Sequence, residues 1–218
     1  MTILSKRTQS ILRNFSNINN SIVIKPGSSL RTLSVNKNIL AVAKVPETFE
    51  QQISIYDLAS FIGGLDLFVN GAELRPESNY VQIVDANDAR RQTRFYYADP
   101  DIIVQPPDKN LDLPSVDVTF DIAGDDFENL IKAARLYRVP DCCVFGADGK
   151  VTMCVTDKKN ETSNTFAVEV GTTDKDFCHC FKVENLNLLI SDYTVQISSS
   201  KVAKFTASDL EYWIALEP

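Results

Sequence analysis

The chain has 218 residues, enough for one large domain or two of about 100, and either can bury a core. Its 44% hydrophobic and 23% charged composition argues against disorder, and no apolar run approaches the roughly 20 residues that cross a bilayer. Lys6 and Arg7 stand where a secretory signal needs apolar residues, so the expectation is an intracellular, soluble protein with no membrane partner.

The formal net charge of −7 is spread unevenly. Residues 1–98 hold 11 Lys and Arg against 8 Asp and Glu, whereas residues 116–218 hold 10 against 17. The first stretch of the chain, "SKRTQSILRNFSNIN", is wholly basic, with Lys6, Arg7 and Arg13 and no acid. Apolar periodicity predicts a helix over 5–18, with Leu4, Thr8, Ile11, Leu12, Phe15 and Ile18 on one side. Lys6, Ser10, Arg13 and Asn17 fall on the other.

Short alternating runs follow: "SIVIK", "LRTLSV", "ILAVAKV" and "QQISIY". Next come a short helix, "DLASFIGGLDLF", and strands "AELRPE", "YVQIVDA" and "TRFYYA". Turn signals at Pro26-Gly27 and Asn70-Gly71 separate them. Residues 99–115 contain four of the nine prolines, Pro100, Pro106, Pro107 and Pro114, and read as an extended connector. Ile102, Ile103 and Val104 suggest that part of it lies on a surface.

Beyond the connector the same order recurs. "VDVTFDI" precedes a helix at 125–137, with Phe127, Leu130, Ile131 and Ala134 inward and Lys132 and Arg135 opposite. Arg138 rotates back toward the core and marks the helix end. "CCVFGA" and "KVTMCVT" flank the hairpin signal Asp148-Gly149. "NTFAVEV", "CHCFKV", a short helical "ENLNLLI", "YTVQISS", "KVAKFTA" and "EYWIALE" complete the half. The repeat of about 110 residues predicts two similar domains, 1–98 and 116–218, in an α+β protein.

Enzyme signatures are scarce. The one histidine, His179, sits between Cys178 and Cys180, and strand alternation points it away from both. Cys142, Cys143, Cys154, Cys178 and Cys180 make a poor disulfide framework and read as reduced and mostly buried. A zinc site from Cys142, Cys154, Cys178 and Cys180 fits no recognised spacing. Asp125-Asp126 begins a helix, where the dipole favours negative charge. Phosphate-cradling glycine loops are absent from the sequence, so neither catalysis nor a cofactor is expected. A rival reading remains in "RRQTRFYYADP", whose Arg and aromatics would suit a monomeric single-strand-binding or scaffolding protein.

The stretches "LSKRTQSILRNFSNIN", "IYDLASFIGGLDLFVNGAEL", "YYADP" and "YWIALE", in this order, resemble the sliding clamps of T-even-type bacteriophages, DNA polymerase processivity factors. The resemblance implies a DNA-clamp fold: two domains with antiparallel sheets outside and helices on the inner face, three subunits joined head to tail around duplex DNA. It further implies action in the cytoplasm of the infected host cell, an ATP-dependent clamp loader, capture of the replicative polymerase, and a part in late transcription. By that match Lys6, Arg7, Arg13, Lys132, Arg135 and Arg138 face DNA, and Ile102, Ile103 and Val104 border a partner-peptide pocket. The family topology sets Arg91, Arg94 and Phe95 beside the neighbour's Phe166 and Glu169, with Glu161 and Asp174 near the ends of that strand.

Overall fold

The computed structural model describes residues 2–68, 71–109 and 112–217. The chain divides into two compact units, residues 1–109 and 110–218. Asn70 of the Asn70-Gly71 turn signal, and Asn110 and Leu111 of the proline-rich connector, lie outside the described residues.

The first unit runs β1 (Thr2–Ile3), α1 (Lys6–Ile18), β2 (Ile22–Ile24), β3 (Gly27–Leu33), β4 (Ile39–Phe49), β5 (Ile53–Ile55), α2 (Leu58–Asp66), β6 (Ala72–Pro76), β7 (Tyr80–Asp85) and β8 (Gln92–Tyr96). Strands β1, β6, β7 and β8 form one antiparallel sheet in that spatial order; β3 pairs with β4, and β2 with β5.

Helix α1 starts where the Ser5 hydroxyl accepts from the Thr8 backbone N–H at 3.1 Å, closing one of the helix's orphan donors. Its buried residues, Thr8, Ile11, Leu12, Asn14, Phe15 and Ile18, trace a stripe at helical spacing that packs on β3, β4 and α2. Burying each large apolar member stabilises the unit by about 1.5–3 kcal/mol. The helix ends at Asn19, whose backbone is extended and whose side-chain amide donates to the Leu33 carbonyl at 3.0 Å.

Glu47 of β4 fixes the other end. Its carboxylate accepts from the Ser5 backbone N–H and, at 2.5 Å, from the Thr8 hydroxyl. Burial alone raises the pKa of this side chain. The hydrogen bonds from Ser5 and Thr8 outweigh burial and hold it below the ordinary value near 4.5.

In α2, capped by Asp57 accepting from the Ser60 N–H at 3.0 Å, Gly64 faces a ring. A Cβ there would stand 2.8 Å from Phe95 of β8. That glycine lets Phe95 lie edge-to-face on Phe61, ring centroids 5.4 Å apart.

The second unit runs β9 (Val118–Ile122), α3 (Gly124–Tyr137), β10 (Asp141–Ala147), β11 (Lys150–Thr156), β12 (Phe166–Thr172), β13 (Phe177–Lys182), β14 (Tyr193–Ser198), β15 (Val202–Thr206) and β16 (Leu210–Ala215). Its two antiparallel runs are β12-β11-β10-β13 and β9-β14-β15-β16. The second run matches β1-β6-β7-β8 strand for strand, so the element order of the first unit is repeated. One difference stands at "ENLNLLI", where the sequence predicted a helical stretch and a single 3-10 turn, Val183–Asn185, takes the place of α2.

Phe127 of α3, Tyr193, Phe181 and Phe205 form the aromatic centre, with Phe127–Tyr193 and Phe181–Phe205 centroids 5.8 and 5.7 Å apart. The Asp148-Gly149 hairpin has both residues at positive φ, 52° and 80°, as a type I′ turn requires. Ala123 offers α3 no side-chain cap, and Asp192 supplies one by accepting from the Gly124 N–H at 2.8 Å.

The cysteine expectation fails at one pair. Cys143 and Cys180 form a disulfide, and Cys178 is exposed. The two bonded residues lie 37 apart in sequence but directly opposite each other on β10 and β13, a proximity that spacing does not reveal. Cys142 and Cys154 are buried, as expected of small apolar side chains. Because Cys142 alternates to the face opposite Cys143, the four-cysteine zinc grouping does not converge.

Replacing Glu47 with Ala removes the acceptor of the part-buried Ser5 N–H and of the buried Thr8 hydroxyl and should cost about 1–3 kcal/mol. Because its folded-state pKa is lowered, the wild-type contribution is complete above pH 4.5 and fades as pH falls below it. The Tm gap between wild type and Glu47→Ala should therefore be wide at pH 7 and narrow at pH 3.

Candidate nucleic-acid interface and assembly edges

Since the apolar stripe of α1 is buried, the rest of the helix faces outward. Lys6, Arg7, Ser10, Arg13 and Asn17 are all exposed. Arg13 is not idle: it forms an ion pair with Asp66 at the end of α2, and both side chains remain about half exposed. Such a solvated pair is worth at most about 1 kcal/mol, so a phosphate can displace the carboxylate at little cost.

Helix α3 follows the same plan with a different charge. Its buried residues include Phe127, Leu130, Ile131 and Ala134, while Lys132, Arg135 and Arg138 are exposed. Acidic Asp125 and Asp126 occupy the first turn, and Arg135 the last, each at the helix end its charge favours. Lys132 pairs with Glu128 one turn earlier at 2.8 Å. Arg138 does not turn back toward the core. It caps the helix in the left-handed conformation, φ 57°, and stays exposed. The positive surface of α3 is thus confined to its C-terminal half, beside exposed Leu136 and Tyr137.

The connector residues divide by burial. Ile103 is 5% exposed, Val104 is half-buried, and Ile102 is 61% exposed on a 3-10 turn, Pro100–Ile102, capped by Asp99. Asp108 accepts from Lys25 at 2.5 Å, and the Lys109 carbonyl accepts from Arg31 at 3.2 Å, strapping this segment to its own unit. A cleft of about 110 Å³ opens there, lined by Val23, Lys25, Pro26, Ser29, Arg31, Gln105, Pro106 and Asp108. Ile102, Ile103 and Val104 are not among its walls. Ile103 pins the segment down, and Pro106 with Val23 gives the cleft its apolar part. Burial accounts for the hydrophobicity of Ile103, whereas Ile102 stays exposed on its turn.

The two strands assigned to subunit contact are both edges. Among the described residues β8 pairs only with β7, and β12 only with β11, so each has a row of free backbone groups. Arg91 stands in the turn before β8 rather than on it, held near Asp85 and Asp88 at 3.8 and 3.6 Å. Arg94 is exposed, its guanidinium 5.1 Å from the centre of the Tyr80 ring, and Tyr80 in turn packs against Tyr96. Phe95 points the other way and is taken up by Phe61 of its own unit. On β12, Phe166, Val168 and Val170 are only half-buried, and Glu169 accepts from Lys150 at 2.6 Å.

Two family descriptions match complementary parts of the chain. DNA polymerase processivity factor matches residues 5–105, and gp45 sliding clamp, C terminal, matches residues 119–218. A sliding clamp of Vibrio phage KVP40 is 34% identical over 98% of both chains. The sliding clamp of Enterobacteria phage T4 is 27% identical over 98% of this chain and 96% of its own. Among solved structures, PCNA of Thermococcus kodakaraensis superposes with a TM-score of 0.67 at 14% identity, covering 99% of this chain and 98% of that one. The DNA polymerase III beta chain of Streptococcus pneumoniae gives 0.69 at 9% identity, covering 99% of this chain and 64% of that one. The duplicated α+β fold is therefore the DNA-clamp fold, and the chain belongs to the sliding-clamp family of phage DNA polymerase processivity factors.

Proposed function

We propose that three copies of this chain close head to tail into a ring around duplex DNA in the cytoplasm of the infected host cell, where the ring tethers the replicative polymerase. The observation that carries this reading is the matched placement of basic residues on the solvent faces of two equivalent helices, Lys6, Arg7 and Arg13 on α1 and Lys132, Arg135 and Arg138 on and after α3. Phosphate contacts made by Lys and Arg are independent of sequence and supply attraction without a fixed register. A ring that slides needs that combination.

Closure joins β8 of one copy to β12 of the next by strand addition, which satisfies both open edges. The half-buried Phe166, Val168 and Val170 and the exposed Tyr96 supply apolar contact, and Arg94 opposite Glu169 selects the head-to-tail pairing. Phe95 contributes through its seat on Phe61 rather than by crossing the interface. An ATP-dependent loader opens the ring, and the chain itself performs no catalysis. The residues 99–115 and the adjacent small cleft receive a partner peptide of the polymerase, and the part in late transcription would draw on the same surface. The cleft suits one side chain, being well below the roughly 300–1,000 Å³ of a small-molecule site.

Two outcomes test this. Changing Lys6, Arg13, Lys132 and Arg135 to Ala should leave Tm within about 2 °C and cut processive synthesis severalfold at low salt. The salt slope of DNA retention should become shallower, by roughly 0.9 for each phosphate that is no longer neutralised, so the difference from wild type shrinks as salt rises. Wild-type processivity at low salt would refute the lining. For closure, Arg94→Glu should raise the concentration at which light scattering finds half the chains assembled by about fivefold per interface, and Glu169→Arg should restore part of it. An unchanged midpoint would reject the electrostatic selection.

A further inference from the structure

Four of the five cysteines share one face of the sheet that contains β10 and β13. Cys154 of β11 stands opposite Cys143 and is buried, and Cys143, Cys178 and Cys180 are the three whose sulfurs converge. Cys142 lies directly opposite Phe181, whose ring packs in the aromatic centre on Phe205, so that face belongs to the core. The neighbouring residues Cys143 and Cys180 therefore project from the other face, and Cys178, two residues before Cys180, projects with them. Along this face the cross-strand pairs read Asp141 with Lys182, Cys143 with Cys180, and Phe145 with Cys178.

The two ends of the row differ. At one end Lys182 donates to buried Asp141 at 2.8 Å and stands 3.7 Å from Glu217, while the Glu217 N–H donates to the Cys180 carbonyl at 2.8 Å. At the other end Cys178 is exposed to solvent. Its sulfur is 3.9 Å from that of Cys180, and all three sulfurs lie within 4.8 Å of one another. In tetrahedral coordination with zinc–sulfur bonds of about 2.3 Å, neighbouring sulfurs stand about 3.8 Å apart. The Cys178–Cys180 separation already matches that edge.

We propose that this face holds a three-sulfur site for one thiophilic metal ion of the Zn²⁺ class, available when the Cys143–Cys180 bond is reduced. A dithiol or phosphine supplies the two electrons; with a phosphine and water the products are two thiols and the phosphine oxide. Binding the ion then releases three thiol protons to solvent, and the position beside Cys178 is left for a water molecule. Disulfide and ion exclude each other, because two of the three ligands are the bonded pair. His179 is not a ligand: it points to the opposite face and stacks on Phe177, centroids 5.5 Å apart.

The proposal is independent of ring assembly and is tested with Co²⁺ as the probe. The full chain is reduced with a phosphine, desalted under nitrogen and titrated with cobalt chloride. One Co²⁺ per chain should bind with a thiolate-to-cobalt charge-transfer band. Unreduced protein should show none. Cys178→Ser and Cys178→Ala, both at an exposed position, should weaken binding at least tenfold, and Cys142→Ala on the core face should leave it unchanged. No saturable band in the reduced wild type, or equal affinity in the Cys178 variants, would overturn the site.

Discussion

The burial of one apolar stripe of each long helix is the constraint on which the rest of the structure depends. Once Ile11, Leu12, Phe15 and Ile18 are committed to β3 and β4, the 3.6-residue period leaves Lys6 and Arg13 no direction but outward. The same holds for Phe127, Leu130, Ile131 and Ala134 against Lys132 and Arg135. Charge display is thus a by-product of core packing, and changing the charges need not disturb the fold. Glu47 sharpens the arrangement by tying the first turn of α1 to β4 through two hydrogen bonds.

The two helices reach a basic surface differently. α1 is basic throughout and contains no acid, whereas α3 places Asp125, Asp126 and Glu128 ahead of Lys132 and Arg135. Its dipole favours that order, and the positive end extends past the helix to Arg138. Two of these cations already have local carboxylate partners, Asp66 for Arg13 and Glu128 for Lys132. Solvated pairs of this kind exchange easily for phosphate, which suits contact that must form and break continually.

Much of this was legible in the sequence because it rests on local periodicity and turn chemistry. The stripes of α1 and α3 and the Asp148-Gly149 hairpin follow from spacing alone, as does the divergence of His179 from its flanking cysteines. What was not legible depends on contacts across large separations. The Cys143–Cys180 bond needs the β10–β13 register, and Phe95 reads as an available strand aromatic until Gly64 and Phe61 are brought beneath it. Ile103 reads as a binding residue for the same reason, its hydrophobicity being visible and its burial not. Helical periodicity extended to Arg138 turns it toward the core, whereas the backbone becomes left-handed at that residue and leaves it exposed.

The central claim is that the protein holds DNA by enclosing it rather than by affinity. The direct measurement loads it onto nicked circular plasmid, raises the salt to dissolve ordinary phosphate contacts, and cuts half the sample once with a restriction enzyme. The account predicts that protein stays with the circles and is lost from the cut molecules by sliding off the ends. Equal retention on circular and linear DNA would contradict it.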